Sequence, residues 1–270
     1  MLKSITKYTL LICSTVLIFG CTEFQKIRKS DDAFKKYEAA VAYYEEKDWY
    51  RSATLLEEIL PVLRGTKEAE LANFYFAYAH YNQDQFILSS HYFKTFYEVY
   101  SRSEYAMEAH YMHAYSLYMQ SPKPQLDQIA TYEAIAEMQG FINKYPYSDY
   151  AAEADKLIDE LQVKLETKAF ENAKLYYQIK RYEAAIVAFE NFMLDFPDSR
   201  YNEEVMFLSV KTYYDYAEVS ITTKQKERYQ KAVDFYEKLV DKWPNSNFLK
   251  QAEGLYSNSL KEITKFASAK

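Results

Sequence analysis

A six-residue motif recurs along the chain and divides it into segments the size of a helix pair. Its three full copies begin at Tyr145, Phe196 and Trp243, and each reads aromatic-Pro-x-Ser-x-aromatic. A fainter copy begins at Tyr100 and has Ser101 at the proline position. Proline disfavours the helical conformation of the residue before it, and we expect the serine to cap the N-terminus of the next helix. Each copy therefore predicts the end of one helix and the start of the next.

The segments before the prolines share a second pattern. Ala134, Ala185 and Ala232 lie at the same distance before the three prolines. Large side chains follow each alanine four and seven residues later, on the same helical face: Met138 and Phe141, Phe189 and Phe192, Tyr236 and Leu239. This spacing resembles the second helix of a tetratricopeptide (TPR) repeat, in which a small residue lies where two helices approach closely. We expect an all-α protein, a right-handed superhelix of about five TPR-like helix pairs with a C-terminal capping helix.

The composition agrees with an all-helical array. The 270 residues include only 4 glycines and 6 prolines, which leaves little material for β-turns. The 29 tyrosines and 17 phenylalanines fit wide aromatic seams between helices, and for any single tyrosine the default interpretation is core packing.

The residues that interrupt helices give the predicted order of the helices. Helix pairs are expected over about 31–63, 67–100 and from 103 onward, then an unbroken helix from Asp149 to Gln178, a final pair over 201–243 and a last helix over 247–266. Gly65 is a candidate cap for the first pair, and Thr222 to Glu227 is expected to be a polar insertion. We divide the repeats into an N-terminal half, 31–148, and a C-terminal half, 149–270, which begins with the long helix.

The N-terminus carries a targeting pattern. Lys3 and Lys7 precede an apolar stretch over 8–19, and Gly20 directly precedes Cys21. A small residue before a cysteine at this place resembles the bacterial lipobox, in which the cysteine becomes the lipidated N-terminus. We expect residues 1–20 to be a signal peptide, Cys21 to carry a diacylglycerol and an N-acyl chain, and 21–30 to be a solvated tether. The alternative is an ordinary signal peptide with an incidental cysteine.

Several functional classes are disfavoured. The formal net charge is −6 and no long basic run is present, which argues against nucleic acid as a partner. Four scattered glycines cannot form a phosphate-binding loop, and no serine has a nucleophile-elbow pattern around it. His110 and His113 lie three residues apart, but without an acidic residue on the same face they suggest helix packing rather than a metal site. We expect no enzyme activity, no metal and no cofactor apart from the lipid.

The first three pairs predict an aromatic groove. In TPR proteins the first helix of each pair lines the concave face. With Ala40, Ala77 and Ala114 as equivalent small residues, the groove positions lie three before, one after and four after each of them. These positions hold Tyr37, Val41, Tyr44, Phe74, Tyr78, Tyr81, Tyr111, Tyr115 and Tyr118. Such a surface suits extended peptides rich in aromatic residues. The alternative is a shifted register, with these rings buried between helices.

Taken together, the residues resemble the BamD family. The resemblance rests on the lipobox cysteine Cys21, the short tether, the TPR-like pairs, Asp127-Gln128 after the third-pair loop, and Tyr145 to Tyr150 leading into a long helix. It implies a non-catalytic outer-membrane lipoprotein that faces the periplasm as part of the β-barrel assembly machine. It also implies binding of a BamA-type barrel protein, and of other subunits, by the C-terminal repeats and of unfolded outer-membrane proteins by the N-terminal repeats.

Two other functions remain open from the sequence. One is a periplasmic TPR adaptor for peptidoglycan synthesis or envelope division, although such adaptors often have an additional N-terminal coiled coil. The other is a glycan-binding TPR lipoprotein. Proteins of that type are longer and use tryptophan platforms, whereas the two tryptophans here, Trp49 and Trp243, lie at repeat turns.

Overall fold

The computed structural model describes residues 23–268, which are helical apart from short connections and contain no strand. A helical turn over 23–28 precedes the labelled helices. These are α1 (Ala33–Glu45), α2 (Trp49–Ile59), α3 (Glu68–Tyr81), α4 (Phe86–Val99), α5 (Ala106–Gln120), α6 (Ile129–Lys144), α7 (Asp149–Gln178), α8 (Tyr182–Asp195), α9 (Asn202–Glu218), α10 (Thr222–Lys242) and α11 (Leu249–Ser268). The all-α prediction is confirmed, with five consecutive helix pairs followed by α11.

The described chain forms two compact units. The first runs to Pro122 and resumes over Leu126–Leu161, and the second contains Lys123–Gln125 and the residues from Gln162 onward. The change from one unit to the other falls inside α7.

Small residues lie at the helix contacts of the first unit, as predicted. Ala40, Ala77, Ala114 and Ala134 have no exposed surface. Two apolar clusters surround them, one built mainly from α1, α2 and α3 and the other from α3 to α7. Because a methyl group allows two helices to approach closely, each alanine leaves room for the large rings beside it.

The second unit follows the same rule. Ala185 and Ala232 are fully buried on α8 and α10. Ala185 belongs to a cluster with Phe170, Phe189 and Phe192, and a neighbouring cluster contains Phe207, Phe235 and Leu239. The alanine periodicity of the sequence thus marks core positions in both units.

The four copies of the six-residue motif, which we call the joint, form the same turn. In each copy the backbone N–H of the serine donates to the carbonyl of the first aromatic residue, Tyr100, Tyr145, Phe196 or Trp243, at N–O distances of 2.9, 3.1, 3.1 and 3.0 Å. The backbone N–H three residues after each serine then donates to the serine carbonyl. The copy at Tyr100 lacks proline and still forms this turn, so the proline reinforces the turn but is not required for it.

The serines of the joints do not act as the helix caps that we predicted. The hydroxyls of Ser103, Ser199 and Ser246 accept the backbone N–H two residues later, before the helix begins. Ser148 instead donates its hydroxyl hydrogen to the carbonyl of Tyr145, 3.0 Å away. A short hydroxyl side chain readily makes such local bonds, and here they stabilise the turn itself.

Three further local predictions are corrected. Thr222 to Glu227 is not an insertion but the first part of α10, where Lys, Gln and Glu favour helix. Gly65 does have a left-handed backbone (φ +82°), but it lies in the loop after α2, beyond the end of the helix. The predicted tether is helical over residues 23–28 and buries Phe24. The long helix has the predicted bounds, Asp149–Gln178.

Candidate peptide-binding face

The candidate site lies on the first helices of the first three pairs, α1, α3 and α5, together with the start of α7. We call the half-buried predicted residues on these helices the aromatic face: Tyr37, Tyr44, Tyr78, Tyr81, Tyr115 and Tyr118. All six belong to the first unit, so they can be considered as one surface.

Phe74 and Tyr111 do not belong to that surface. Their exposed fractions are 5% and 4%, and both lie in the core of the first unit. Each ring stacks on the last aromatic residue of the following joint: Phe74 on Tyr105, with centroids 4.7 Å apart, and Tyr111 on Tyr150, at 4.5 Å. The position three before the small residue therefore faces the next repeat, which corrects our prediction for these two residues.

The second unit repeats this stacking. Phe170 of α7 stacks on Tyr201 at 4.4 Å, and Phe207 of α9 stacks on Phe248 at 4.9 Å. Tyr37 occupies the equivalent position in α1, but the loop after α2 has no aromatic residue at that place. Tyr37 is therefore half-buried, in contact with the core cluster formed by α1, α2 and α3.

The other rings of the aromatic face contact one another across helices. Tyr81 of α3 lies 6.1 Å from Tyr115 of α5, and Tyr115 stacks on Tyr118 at 5.6 Å. Tyr44 of α1 stacks on Tyr75 of α3 at 3.9 Å with nearly parallel planes. These contacts join partly exposed tyrosines of α1 to α3 and of α3 to α5, and rings fixed in this way lose little rotamer freedom when a ligand packs on them.

Two tyrosine hydroxyls connect successive first helices. Tyr78 of α3 donates to the carboxylate of Glu108 on α5, and Tyr118 of α5 donates to Glu160 of α7 at 2.6 Å. Burial, followed by the Glu108 hydrogen bond, raises the pKa of Tyr78, and the Glu160 hydrogen bond is the largest cause that raises the pKa of Tyr118 to about 12. Both phenols therefore remain protonated donors at neutral pH, and they contribute to holding the helices in place.

Tyr75, Tyr105 and Tyr150 were not predicted from the sequence as parts of this region, and neither were the carboxylates that accept from its tyrosines. A signal was available for two of them, because Tyr105 and Tyr150 are the last residues of joint motifs. Nothing in the local pattern distinguished Glu108 or Glu160 from other charged helix residues. Their roles depend on which helix lies beside them.

A similar hydroxyl contact occurs in the second unit. Tyr177 of α7 donates to Asp215 of α9 at 2.6 Å, and Lys174 pairs with Glu204 at 2.8 Å. Burial, followed by the Asp215 hydrogen bond, raises the pKa of Tyr177. Tyrosine–carboxylate bonds between successive first helices thus occur in both units, as part of the repeat architecture.

The two histidines on α5 pack inside the first unit, as expected. The ring of His110 stacks on Tyr97 at 4.2 Å, and Nδ1 of His113 lies 3.0 Å from the Ser90 hydroxyl and 2.9 Å from the Ser90 carbonyl. Within residues 23–268, no group of three or more His, Cys, Asp or Glu side chains is arranged to hold a metal ion. No helix in the same region combines the length and apolar character needed to cross a bilayer. Cys21 lies outside the described residues.

One comparison with known proteins matches a family model over most of the chain. The family model described as outer membrane lipoprotein YfiO matches residues 29–215 and again 162–263. No curated protein matches the chain. Among solved structures, a TPR-repeat protein from Bacteroides fragilis is similar, with 13% sequence identity and a TM-score of 0.40, over 85% of this chain and 99% of that one. Since the family model matches most of the chain, the protein belongs to the YfiO family of outer membrane lipoproteins, which is the BamD family.

Proposed function

We propose that the protein is a non-catalytic scaffold of the outer-membrane β-barrel assembly machine, anchored by a lipid on Cys21 and facing the periplasm. Its first unit binds unfolded outer-membrane proteins, and its C-terminal repeats bind a BamA-type barrel protein and other subunits. Membership of the outer membrane lipoprotein family supports this assignment. The observation that carries the substrate role is the set of half-buried tyrosines on α1, α3 and α5.

The chemistry of the aromatic face suits the proposed substrate. The strands of outer-membrane barrels alternate apolar and polar residues and are flanked by aromatic girdles. Tyr44, Tyr81 and Tyr115 present ring surface that an incoming aromatic or aliphatic side chain can cover. Because their neighbours already fix these rings, binding orders few protein side chains. The contact would therefore be broad and tolerant of sequence, as a carrier of many different strands requires.

The substrate role is tested with a fluorescent peptide copied from the C-terminal strand of an outer-membrane barrel protein and ending in phenylalanine. Fluorescence anisotropy gives the dissociation constant for the wild type and for Tyr81→Ala/Tyr115→Ala. We expect the double variant to bind at least about tenfold more weakly, because aromatic residues at the centre of an interface contribute most of the binding energy.

Tyr132→Ala is the matched control. Tyr132 is 61% exposed on α6, a second helix of its pair, and does not belong to the aromatic face. Its removal should leave peptide affinity unchanged, and circular dichroism should show that all variants are folded. Equal affinities for the double variant and the control would place the peptide elsewhere on the protein.

The partner role is tested separately by a mild-detergent pull-down of the tagged lipoprotein from its own envelope, followed by mass spectrometry. Stoichiometric recovery of a large barrel protein with periplasmic repeat domains is the expected result. Recovery of peptidoglycan or division enzymes without that barrel would move the function to the adaptor class.

A further inference from the structure

The segment between Cys21 and α1 is packed onto the first helix pair. Phe24 is 5% exposed, and its ring lies edge-on to Tyr43 with centroids 5.8 Å apart. The guanidinium of Arg51 on α2 lies 5.6 Å from the centroid of Phe24 and 5.4 Å from that of Tyr43. Arg51 therefore lies over an aromatic pair, and these contacts attach Phe24 to the first helix pair. A solvated linker would make no such contacts.

A second attachment holds the other end of the segment. Glu58 of α2 accepts from Nε of Arg28 at 2.8 Å and from Nζ of Lys36 at 2.7 Å. These two hydrogen bonds lower the pKa of Glu58, and the bond from Lys36 is the larger cause. One carboxylate therefore ties the end of the helical turn over 23–28 to both helices of the first pair.

The same segment and the first turn of α1 also carry exposed side chains. Phe34, in the first turn of α1, is 54% exposed. Lys26, Lys29 and Lys35 are exposed and make no ion pair with any residue that the structure describes. The exposed carboxylates Glu23, Asp31 and Asp32 balance these three charges. The segment thus exposes an aromatic ring and lysines without net charge, so its contact with a bilayer depends on the ring and on the lipid at Cys21 rather than on charge.

Only Thr22 separates Cys21 from Glu23, where the described helical turn begins. Two residue steps span at most about 7 Å even when extended. We propose that residues 23–36 form a rigid anchor arm, which holds the first helix pair against the phospholipid surface with Phe34 at the depth of the headgroups. The inference rests on the acylation of Cys21 in the proposed function. It adds that the lipid is joined to the fold by a packed segment rather than a loose tether, so the orientation of the first pair at the membrane is fixed.

The test uses the acylated full-length protein in vesicles of phosphatidylethanolamine and phosphatidylglycerol that contain a lipid-borne quencher. The chain has two cysteines. Cys13 leaves with the signal peptide and Cys21 is acylated, so Phe34→Cys provides a single site for an environment-sensitive dye. Gln139→Cys, exposed on α6, is the control, because the whole second pair separates α6 from α1 along the chain. We expect quenching at position 34 to exceed that at position 139 by about twofold or more.

A second variant tests the packed segment. Adding Phe24→Ala to Phe34→Cys should lower quenching at position 34 to the level of the control, while the protein still floats with the vesicles. Glu58→Gln weakens both ion pairs without opening a cavity and should also lower quenching at position 34. It provides the test if the Phe24→Ala variant fails to fold. Equal quenching at positions 34 and 139 in a floating protein would overturn the anchor arm and leave the proposed function intact. Failure of the wild type to float would remove the lipid anchor from both proposals, whereas the pull-down tests the partner role independently.

Discussion

The last aromatic residue of each joint is positioned by a ring on the preceding repeat. Tyr105, Tyr150, Tyr201 and Phe248 stack on Phe74, Tyr111, Phe170 and Phe207 at centroid distances of 4.4–4.9 Å. The first aromatic residue packs instead on the helix that it ends, as Tyr145 does on Phe141 at 5.3 Å. The two aromatic positions thus hold different elements: one fixes the end of a helix, and the other joins neighbouring repeats.

A pair of tyrosines in one joint tests this difference. Tyr150→Ala should lower the free energy of unfolding by about 2 kcal/mol, because it removes a half-buried ring and its stack on Tyr111. Tyr147, only three residues earlier, is 99% exposed, and Tyr147→Ala should change stability by less than about 0.5 kcal/mol. Urea denaturation followed by circular dichroism measures both. Equal losses would show that the stacking does not stabilise the joint.

His110 makes the stability of the first unit depend on pH. Burial, assisted by the positive charge of Lys144, lowers its pKa to about 4. His113, Lys94 and Glu137 also act on its charge, and Glu137 is the one that favours protonation. Unfolding returns the pKa to its usual value of about 6.5, so the unfolded chain binds the proton more readily. The contribution to stability is therefore complete above pH 6.5 and is lost as the pH falls towards 4.

The expected loss between pH 7 and pH 4 is roughly 2–3 kcal/mol from this residue. His110→Phe should remove that part of the pH dependence, and the matched variant His91→Gln, on the exposed side of α4, should retain it. Urea midpoints measured at several pH values provide the comparison. If the phenylalanine variant loses as much stability on acidification as the wild type, other groups control the effect.

At the scale of elements, α7 supplies core residues to both units. Leu161 has no exposed surface in the core of the first unit, and Phe170 is 2% exposed in the core of the second. An unbroken run of helix-forming residues over Asp149–Gln178 made this helix predictable. The point at which the core changes from one unit to the other was not predictable, because apolar residues recur along the helix without interruption.

The continuity of α7 is tested at the exposed residue Gln162, where the second unit begins. Gln162→Pro removes a helical hydrogen bond and introduces a steric clash, which should cost about 3 kcal/mol or more. Gln162→Ala, at the same position, should be neutral or slightly stabilising. Thermal melts followed by circular dichroism at 222 nm measure both. An unchanged melting temperature for the proline variant would mean that α7 need not be continuous.

At the scale of the whole molecule, we propose that the lipid anchor and the fold are separable. Cys21 precedes the described helices, so Cys21→Ala should move the protein from the membrane fraction to the soluble fraction. Its helical content and urea midpoint should remain those of the wild type, because the substitution lies outside the described helices. Cell fractionation and circular dichroism test the two halves of this prediction. Continued membrane association of the variant would point to a partner, rather than the lipid, as the anchor.

Local physical chemistry was sufficient to predict most helices of this protein from its sequence, but not the helical turn over 23–28 or the first part of α10. Proline and serine at the joints, the alanine spacing before them and the scarcity of glycine together indicate paired helices, and the long helix needed only a run without breakers. Tertiary structure decided what the aromatic residues do. Phe74 and Tyr81 lie on the same helix and look equivalent in sequence, yet Phe74 is buried under Tyr105 while Tyr81 remains half-exposed. Whether each ring is buried depends on the neighbouring repeat, thirty or more residues away, and no local sequence pattern contains that information.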